Sequence, residues 1–118
     1  MEEKLDEQTR KSLEEFQALQ QQLQFLQLQR QQLLAQAMET GEAVKEVEAS
    51  QGTVFKTVGS VLVPKEKQAL LKELASEKEL LESRKAMVEK QEEKFKKRFL
   101  ELKAELEKRF GQPQPKAK

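Results

Sequence analysis

The chain has 118 residues, 36% of them charged, but its 22 basic and 21 acidic side chains nearly cancel, leaving a net charge of +1. This balance gives no strong field that would steer nucleic acid or a membrane surface toward the protein. The sequence contains no Cys and no His, which excludes disulfides, thiolate metal sites and the commonest catalytic base. The abundant Leu, Glu, Lys, Gln and Ala are typical of long helices and coiled coils.

The first predicted helix covers residues 3–49, where no Pro interrupts the chain and Gly41 is the single Gly. Apolar residues recur along it at alternating steps of three and four, as in the seam of a coiled coil. The repeat is sustained long enough to favour a coiled coil over a plain amphipathic helix. The seam consists of Phe16, Leu19, Leu23, Leu26, Arg30, Leu33, Ala37, Thr40, Val44 and Val47.

The helical pattern stops between Gln51 and Pro64. Two runs rich in β-forming residues, Thr53–Val58 and Val61–Val63, flank the dipeptide Gly59-Ser60, which has the composition of a two-residue hairpin turn. The sequence therefore predicts a β-hairpin over residues 53–63.

Alternation along the predicted strands puts Val54, Lys56 and Val58 on one face and Phe55 and Thr57 on the other. Both faces then carry apolar side chains, and an isolated hairpin with two open edges is marginally stable in water. We expect the hairpin to join other hairpins in a closed sheet or barrel, although it could instead pack on its own helix ends. The predicted assembly residues are Val54, Phe55, Val58, Gly59, Val61, Leu62 and Val63.

The second predicted helix covers residues 65–110, with Pro64 leading into its first turn and a disordered tail over 111–118. Its seam is apolar at both ends and charged between, and it consists of Leu71, Leu74, Lys78, Leu81, Lys85, Val88, Glu92, Phe95, Phe99, Leu102 and Leu106. A hairpin connection returns the chain antiparallel. One register that fits pairs Phe16 with Leu102 and Leu19 with Phe99, and a shift of seven residues also keeps a seam.

Three segments of the chain resemble the β class of the prefoldin family. They are the hairpin V-F-K-T-V-G-S-V-L-V at Val54–Val63, the Gln-rich F-Q-A-L-Q-Q-Q-L-Q at Phe16–Gln24, and E-K-Q-E-E-K at Glu89–Lys94. The resemblance spans nearly the whole chain and implies one mainly α domain over residues 1–118, in which a long antiparallel coiled-coil hairpin carries a central β-hairpin.

The same resemblance implies a hexamer of two α-class and four β-class subunits, whose hairpins form a β-barrel body. It also implies ATP-independent capture of unfolded client proteins and their delivery to a chaperonin. The single hairpin of this chain is similar to the β class, since α-class subunits contribute two.

A binder of unfolded clients needs mobile apolar surface ringed by charge. We expect this surface at the free ends of the helices, at Leu5, Leu13, Leu102, Leu106 and Phe110. The alternative is that these residues only close the seam. A second functional interpretation is a structural coiled-coil tether or adaptor with one folded partner.

An enzymatic role is not expected. The acidic pairs are surface charges without a pocket that would separate their pKa values, and no glycine-rich phosphate loop is present. We therefore expect a cytoplasmic protein that needs no cofactor and no metal and binds neither nucleic acid nor membrane, since it has no transmembrane run and no signal-like start.

Overall fold

A central β-hairpin connects two long helices in the computed structural model, which describes residues 6–111. The element order is α1 (Glu7–Ala49), β1 (Val54–Val58), β2 (Val61–Lys65) and α2 (Lys67–Arg109). The predicted mainly α architecture with a central β-hairpin is therefore confirmed. The predicted helix start at residue 3, and the tail from residue 112 onward, lie outside the described residues.

Local side-chain chemistry explains where each helix begins. Asp6 precedes α1, and its Oδ1 accepts a hydrogen bond of 2.7 Å from the backbone N–H of Thr9. Glu66 has the same role before α2, since its Oε1 accepts a 3.0 Å bond from the N–H of Ala69. These carboxylates satisfy N–H groups that have no partner within the first turn of a helix.

The second strand is longer than predicted. It continues through Pro64 to Lys65, and α2 begins only at Lys67, so Pro64 belongs to the sheet and not to the first helical turn. Pro64 is paired with Phe55 in the sheet, and the side chain of Glu66 accepts the hydrogen bond from the N–H of Ala69. The helix therefore starts after Glu66, whose carboxylate satisfies a donor of the first turn.

The chain divides into two compact units, one formed by Gln29–Met87 and the other by the chain up to Leu28 and from Val88 onward. In the unit that contains the free helix ends, α1 buries two polar residues, Thr9 and Ser12. They lie seven residues before Phe16 and Leu19, the first two members of the predicted seam. The buried side chains there are Thr9, Ser12, Leu19, Leu26, Val88, Leu102 and Leu106.

In the unit that contains the hairpin, the buried side chains are Ala37, Thr40, Val54, Leu70 and Leu81. Ala37, Thr40 and Leu81 belong to the predicted seam and Val54 lies on β1. At the start of α2 the prediction was wrong, because Leu70 is buried and the predicted Leu71 is only half-buried. Thr40 is tolerated there because its hydroxyl donates a 3.0 Å hydrogen bond to the backbone carbonyl of Gln36 one turn earlier. The heptad prediction is thus confirmed by burial at the other buried helix positions of both units, and in α1 the seam extends one heptad earlier to the polar residues Thr9 and Ser12.

Pairing across the helices near their free ends differs from the predicted register. The ring of Phe16 stacks on that of Phe99, with centroids 4.5 Å apart and planes 16° from parallel, whereas the register had placed Phe16 beside Leu102 and Phe99 beside Leu19. Stacking of two aromatic rings is favourable beyond the area that it buries. The predicted register came from the heptad spacing alone, which does not take this preference for ring pairing into account.

Candidate functional site

The hairpin is the first candidate site, and its register is that of a tight two-residue loop. Val58 pairs with Val61 across Gly59-Ser60, Thr57 pairs with Leu62, and Phe55 pairs with Pro64. Gly59 has a φ of 63°, which the first central residue of a type II′ turn requires and which Gly adopts without steric cost. The predicted hairpin turn and the predicted division of β1 side chains between two faces are confirmed.

One face of the hairpin is fastened to the base of α2. Glu73 accepts a hydrogen bond of 3.0 Å from the ammonium of Lys56 and one of 2.9 Å from the ammonium of Lys65. Val54, which shares this face, is 7% exposed. The Lys65 and Lys56 hydrogen bonds hold the pKa of Glu73 below its ordinary value, so the carboxylate is charged at neutral pH and joins one residue of each strand to the helix.

A third lysine connects the start of α2 to the end of α1. The ammonium of Lys67 donates hydrogen bonds of 3.1 Å to the backbone carbonyls of Glu48 and Ser50. These carbonyls lie at a helix C-terminus, where the last C=O groups have no partner within the helix and a cation is favourable. The two helices are therefore held at the hairpin end by a charged cap as well as by packing.

The rest of the hairpin exposes large apolar side chains on both faces. Phe55 and Leu62, on the face away from Glu73, are 53% and 65% exposed. Val58 and Val61 beside the turn, together with Val63, are exposed as well. The sheet has two strands, so each strand also presents an open edge. Exposed apolar faces and open edges are what a hairpin offers to other strands.

The predicted assembly residues therefore fall into two groups. Val54 is buried within the subunit and anchors the hairpin, while the other apolar members are exposed. The sequence pattern did not predict the ion pairs of Glu73 with Lys56 and Lys65. Strand alternation did place Lys56 on the face of Val54, but nothing in the sequence marks one glutamate of α2 as its partner, because that contact depends on how the hairpin meets the helix.

The free ends of the helices are the second candidate site, and charged side chains join them. The guanidinium of Arg98 donates two hydrogen bonds to Glu15, from Nε at 3.0 Å and from Nη2 at 3.1 Å. This hydrogen bonding lowers the pKa of Glu15 and raises that of Arg98. The two-pronged geometry is the strongest arrangement for a guanidinium and a carboxylate.

Arg109 forms a second link closer to the ends. Its Nη1 donates a 3.2 Å hydrogen bond to the hydroxyl of Thr9 and lies 3.8 Å from Oδ2 of Asp6. Hydrogen bonds from Thr9 hold the pKa of Asp6 below its ordinary value, and the charge of Arg109 adds to this effect. The first turn of α1 and the last turn of α2 are thus held together by one polar cluster.

The five predicted client-binding residues occupy different environments. Leu102 has no exposed surface and Leu106 is also buried, so both close the seam in this structure. Leu13 is half-buried, Phe110 is 46% exposed, and Leu5 lies outside the described residues. A client could reach Leu102 or Leu106 only if the helix ends separated.

A groove of about 580 Å³ lies beside Gly41 in the unit that contains the hairpin. Leu34 and Met38 on its wall are exposed, and a Cβ built on Gly41 would meet no atom within 4 Å. The residues that line the groove are Leu34, Ala37, Met38, Gly41, Glu42, Val44, Lys45, Ala75, Lys78 and Glu82. Gly41 has no side chain to fill this space, so the groove stays open between these side chains of α1 and the groove residues of α2.

Among residues 6–111, no three acidic, His or Cys side chains are arranged to hold a metal ion. None of the described helices is long and apolar enough to cross a membrane.

Comparison with known proteins gives consistent matches in sequence and in structure. A family model described as "Prefoldin subunit" matches residues 10–113. The prefoldin subunit beta of Archaeoglobus fulgidus is 38% identical over 95 residues, which cover 79% of this chain and 82% of that protein. The prefoldin subunit beta of Methanothrix thermoacetophila is 35% identical over 113 residues, 94% of each chain.

A solved structure agrees with the sequence matches. The crystal structure of the prefoldin beta subunit from Thermococcus strain KS-1 superimposes with a TM-score of 0.82 at 30% identity, and the match covers 95% of this chain and all of that one. The likeness therefore includes both helices and the hairpin.

Proposed function

The chain belongs to the prefoldin family as a β-class subunit, and we propose that it serves an ATP-independent chaperone that captures unfolded proteins and delivers them to a chaperonin. The family supports a chaperone-type role in general. The proposed mechanism has two parts, which are assembly of subunits through the hairpin and capture of unfolded proteins at the free helix ends. The proposed location of this activity is the cytoplasm.

The observation that carries the assembly part is the exposed apolar surface of the hairpin. Phe55, Val58, Val61 and Leu62 are each more than half exposed, and water penalises such a surface in proportion to its area. Burial against the hairpins of other subunits would remove this penalty and pair the open edges. We propose a hexamer of two α-class and four copies of this β-class subunit, whose hairpins close into a β-barrel.

The capture part depends on the free ends of the helices. Phe110 is exposed beside the charged residues Lys108 and Arg109, so it offers apolar surface within a soluble, charged setting. Leu13 is half-buried, and Leu102 and Leu106 are buried. Helix ends fray more readily than helix centres, and we propose that fraying exposes these leucines to a client.

Assembly and capture are tested together by mixing the chain with an α-class partner and measuring light scattering as a denatured protein is diluted into buffer. Suppression of scattering at a stoichiometric hexamer without nucleotide is expected. No suppression would contradict the chaperone proposal. Deletion of residues 1–8 and 107–118 should weaken suppression and leave the native mass of the hexamer unchanged. A smaller native mass would show that the ends serve assembly instead.

The hairpin is tested by Val58→Asp, with Leu80→Asp as the matched control. Val58 and Leu80 are similarly exposed, at 55% and 51%, and lie on the sheet and on α2 respectively. We expect Val58→Asp to lower the native mass of the assembly, because a charge would be buried between strands, and Leu80→Asp to leave it unchanged. A normal hexamer with Val58→Asp would refute assembly through the hairpin.

A further inference from the structure

Two arginines of α2 reach across to α1 near the free helix ends. Arg98 donates hydrogen bonds of 3.0 and 3.1 Å to Glu15, and Arg109 donates one of 3.2 Å to the hydroxyl of Thr9. These contacts form a clasp between the two helices. The side chains of Arg98 and Glu15 are nearly half exposed, and because water competes for exposed ion pairs, such contacts are weak and open readily.

Each arginine of the clasp also has a carboxylate partner on its own helix. Nη1 of Arg98 lies 3.4 Å from Oε1 of Glu101, and Nη2 of Arg109 lies 3.5 Å from Oε2 of Glu105. When the helix ends separate, both arginines keep these partners, so the open form contains no unpaired guanidinium. The clasp therefore stabilises the closed form without making the open form costly in charge.

The two buried leucines of the proposed capture site lie between these arginines along α2. Leu102 follows Arg98 by four residues, Leu106 follows Leu102 by four, and Arg109 follows Leu106 by three. Such steps place side chains in one row on a helix surface. Both leucines are buried in the closed form, and the helix ends cannot separate to expose them while the arginines are bonded to α1.

We propose that the clasp is an autoinhibitory contact, which keeps the apolar part of the capture site closed until a client displaces it. The inference rests on the proposed function and names the device that regulates the same site. Since only the open form presents the leucines, the apparent affinity for a client scales with the population of that form. Weakening the clasp should then strengthen capture, although it removes a stabilising contact.

Opening is measured by the chemical accessibility of position 106. The chain contains no Cys, so Leu106→Cys introduces a single thiol, and its rate of reaction with an aromatic disulfide reagent reports how often this position is exposed. Adding Arg98→Gln should raise that rate about two- to fivefold, the effect of losing one exposed ion pair.

Arg10→Gln is the matched control for the loss of charge. Arg10 forms an ion pair of 3.0 Å with Glu7, and both residues belong to α1. The substitution removes the same charge and an exposed ion pair, but no contact between the helices. The labelling rate of the thiol should therefore be the same with and without Arg10→Gln.

Capture is measured with the same charge substitutions in the full chain that retains Leu106, assembled with an α-class partner. The probe is a fluorescent peptide of Leu, Ser and Gly with blocked ends, which carries no charge that could respond to the loss of an arginine. Fluorescence anisotropy should give a Kd about two- to fivefold lower for Arg98→Gln, and an unchanged Kd for Arg10→Gln. Glu15→Gln removes the other partner of the pair and should act as Arg98→Gln does.

The two measurements separate this inference from the proposed function. Faster labelling with an unchanged or higher Kd would overturn the inference, because the clasp would then not restrict capture. Equal labelling rates with and without Arg98→Gln would overturn it as well, since the clasp would not hold the ends together. If the wild-type assembly and the Arg98→Gln assembly both failed to bind the peptide and to suppress aggregation, the proposed capture function would be contradicted together with its regulation.

Discussion

Leu102 provides the sharpest test of how the helix ends are held together. Its side chain has no exposed surface, whereas Leu100, two residues earlier on the same helix, is 52% exposed. Truncating a buried leucine to alanine removes favourable burial and leaves a cavity, which costs about 2–5 kcal/mol. The same truncation at an exposed position costs within about 0.5 kcal/mol. Leu102→Ala should therefore be strongly destabilising and Leu100→Ala nearly neutral.

Urea and thermal unfolding followed by circular dichroism of the helices measure both variants. For a chain of this size, Leu102→Ala should lower Tm by at least about 8 °C, and the urea midpoint should fall without a change in slope. If Leu100→Ala were as destabilising as Leu102→Ala, the assignment of Leu102 to the buried seam would be refuted. If neither variant changed stability, the helix ends would not be packed together in solution.

Three further predictions concern other contacts. Gly41→Ala should raise the free energy of unfolding by up to about 1 kcal/mol, because the new Cβ meets open space and Ala is the better helix former; no gain in urea unfolding would contradict this. Arg98 lowers the pKa of Glu15 below the ordinary value of 4.5, so the pair stabilises the helix ends above that pH and its contribution is lost as the pH falls through the lowered pKa. Glu15→Gln should therefore show a weaker loss of stability on acidification, and an unchanged pH profile would exclude the pair as a source of acid sensitivity. Glu73→Gln should speed amide exchange over residues 54–65 and leave residues 88–109 unchanged, whereas uniform change would show that Glu73 does not act locally on the hairpin.

Much of the fold follows from local patterns in the sequence. The heptad spacing of residues such as Leu19, Leu26 and Leu81 predicts which side of each helix is buried, because only that side can face a second helix along its whole length. The pair Gly59-Ser60 between two β-rich runs predicts the turn and the register of the hairpin, because a two-residue loop leaves few alternatives. Both features depend on residues that are close together in the sequence.

Other features depend on contacts between distant residues. The extension of β2 through Pro64 depends on its pairing with Phe55, and the choice of Glu73 as partner of Lys56 and Lys65 depends on how the sheet meets α2. The stacking of Phe16 on Phe99 depends on the fit of two rings, which a repeat of seven residues does not specify. The heptad repeat fits more than one register of the two helices, because shifting one helix along the other by seven residues still places apolar residues opposite each other.

The candidate sites divide in the same way. The sequence by itself determined that the hairpin carries apolar side chains on both faces and two open edges, and that the chain lacks the Cys and His of common catalytic and metal sites. Only the tertiary structure decided that Val54 is buried and holds the hairpin while Phe55 and Leu62 remain exposed. It also decided that Leu102 and Leu106 are covered while Phe110 is not. The physical reason is that hydrophobicity belongs to a residue type, whereas exposure depends on which other residues cover it.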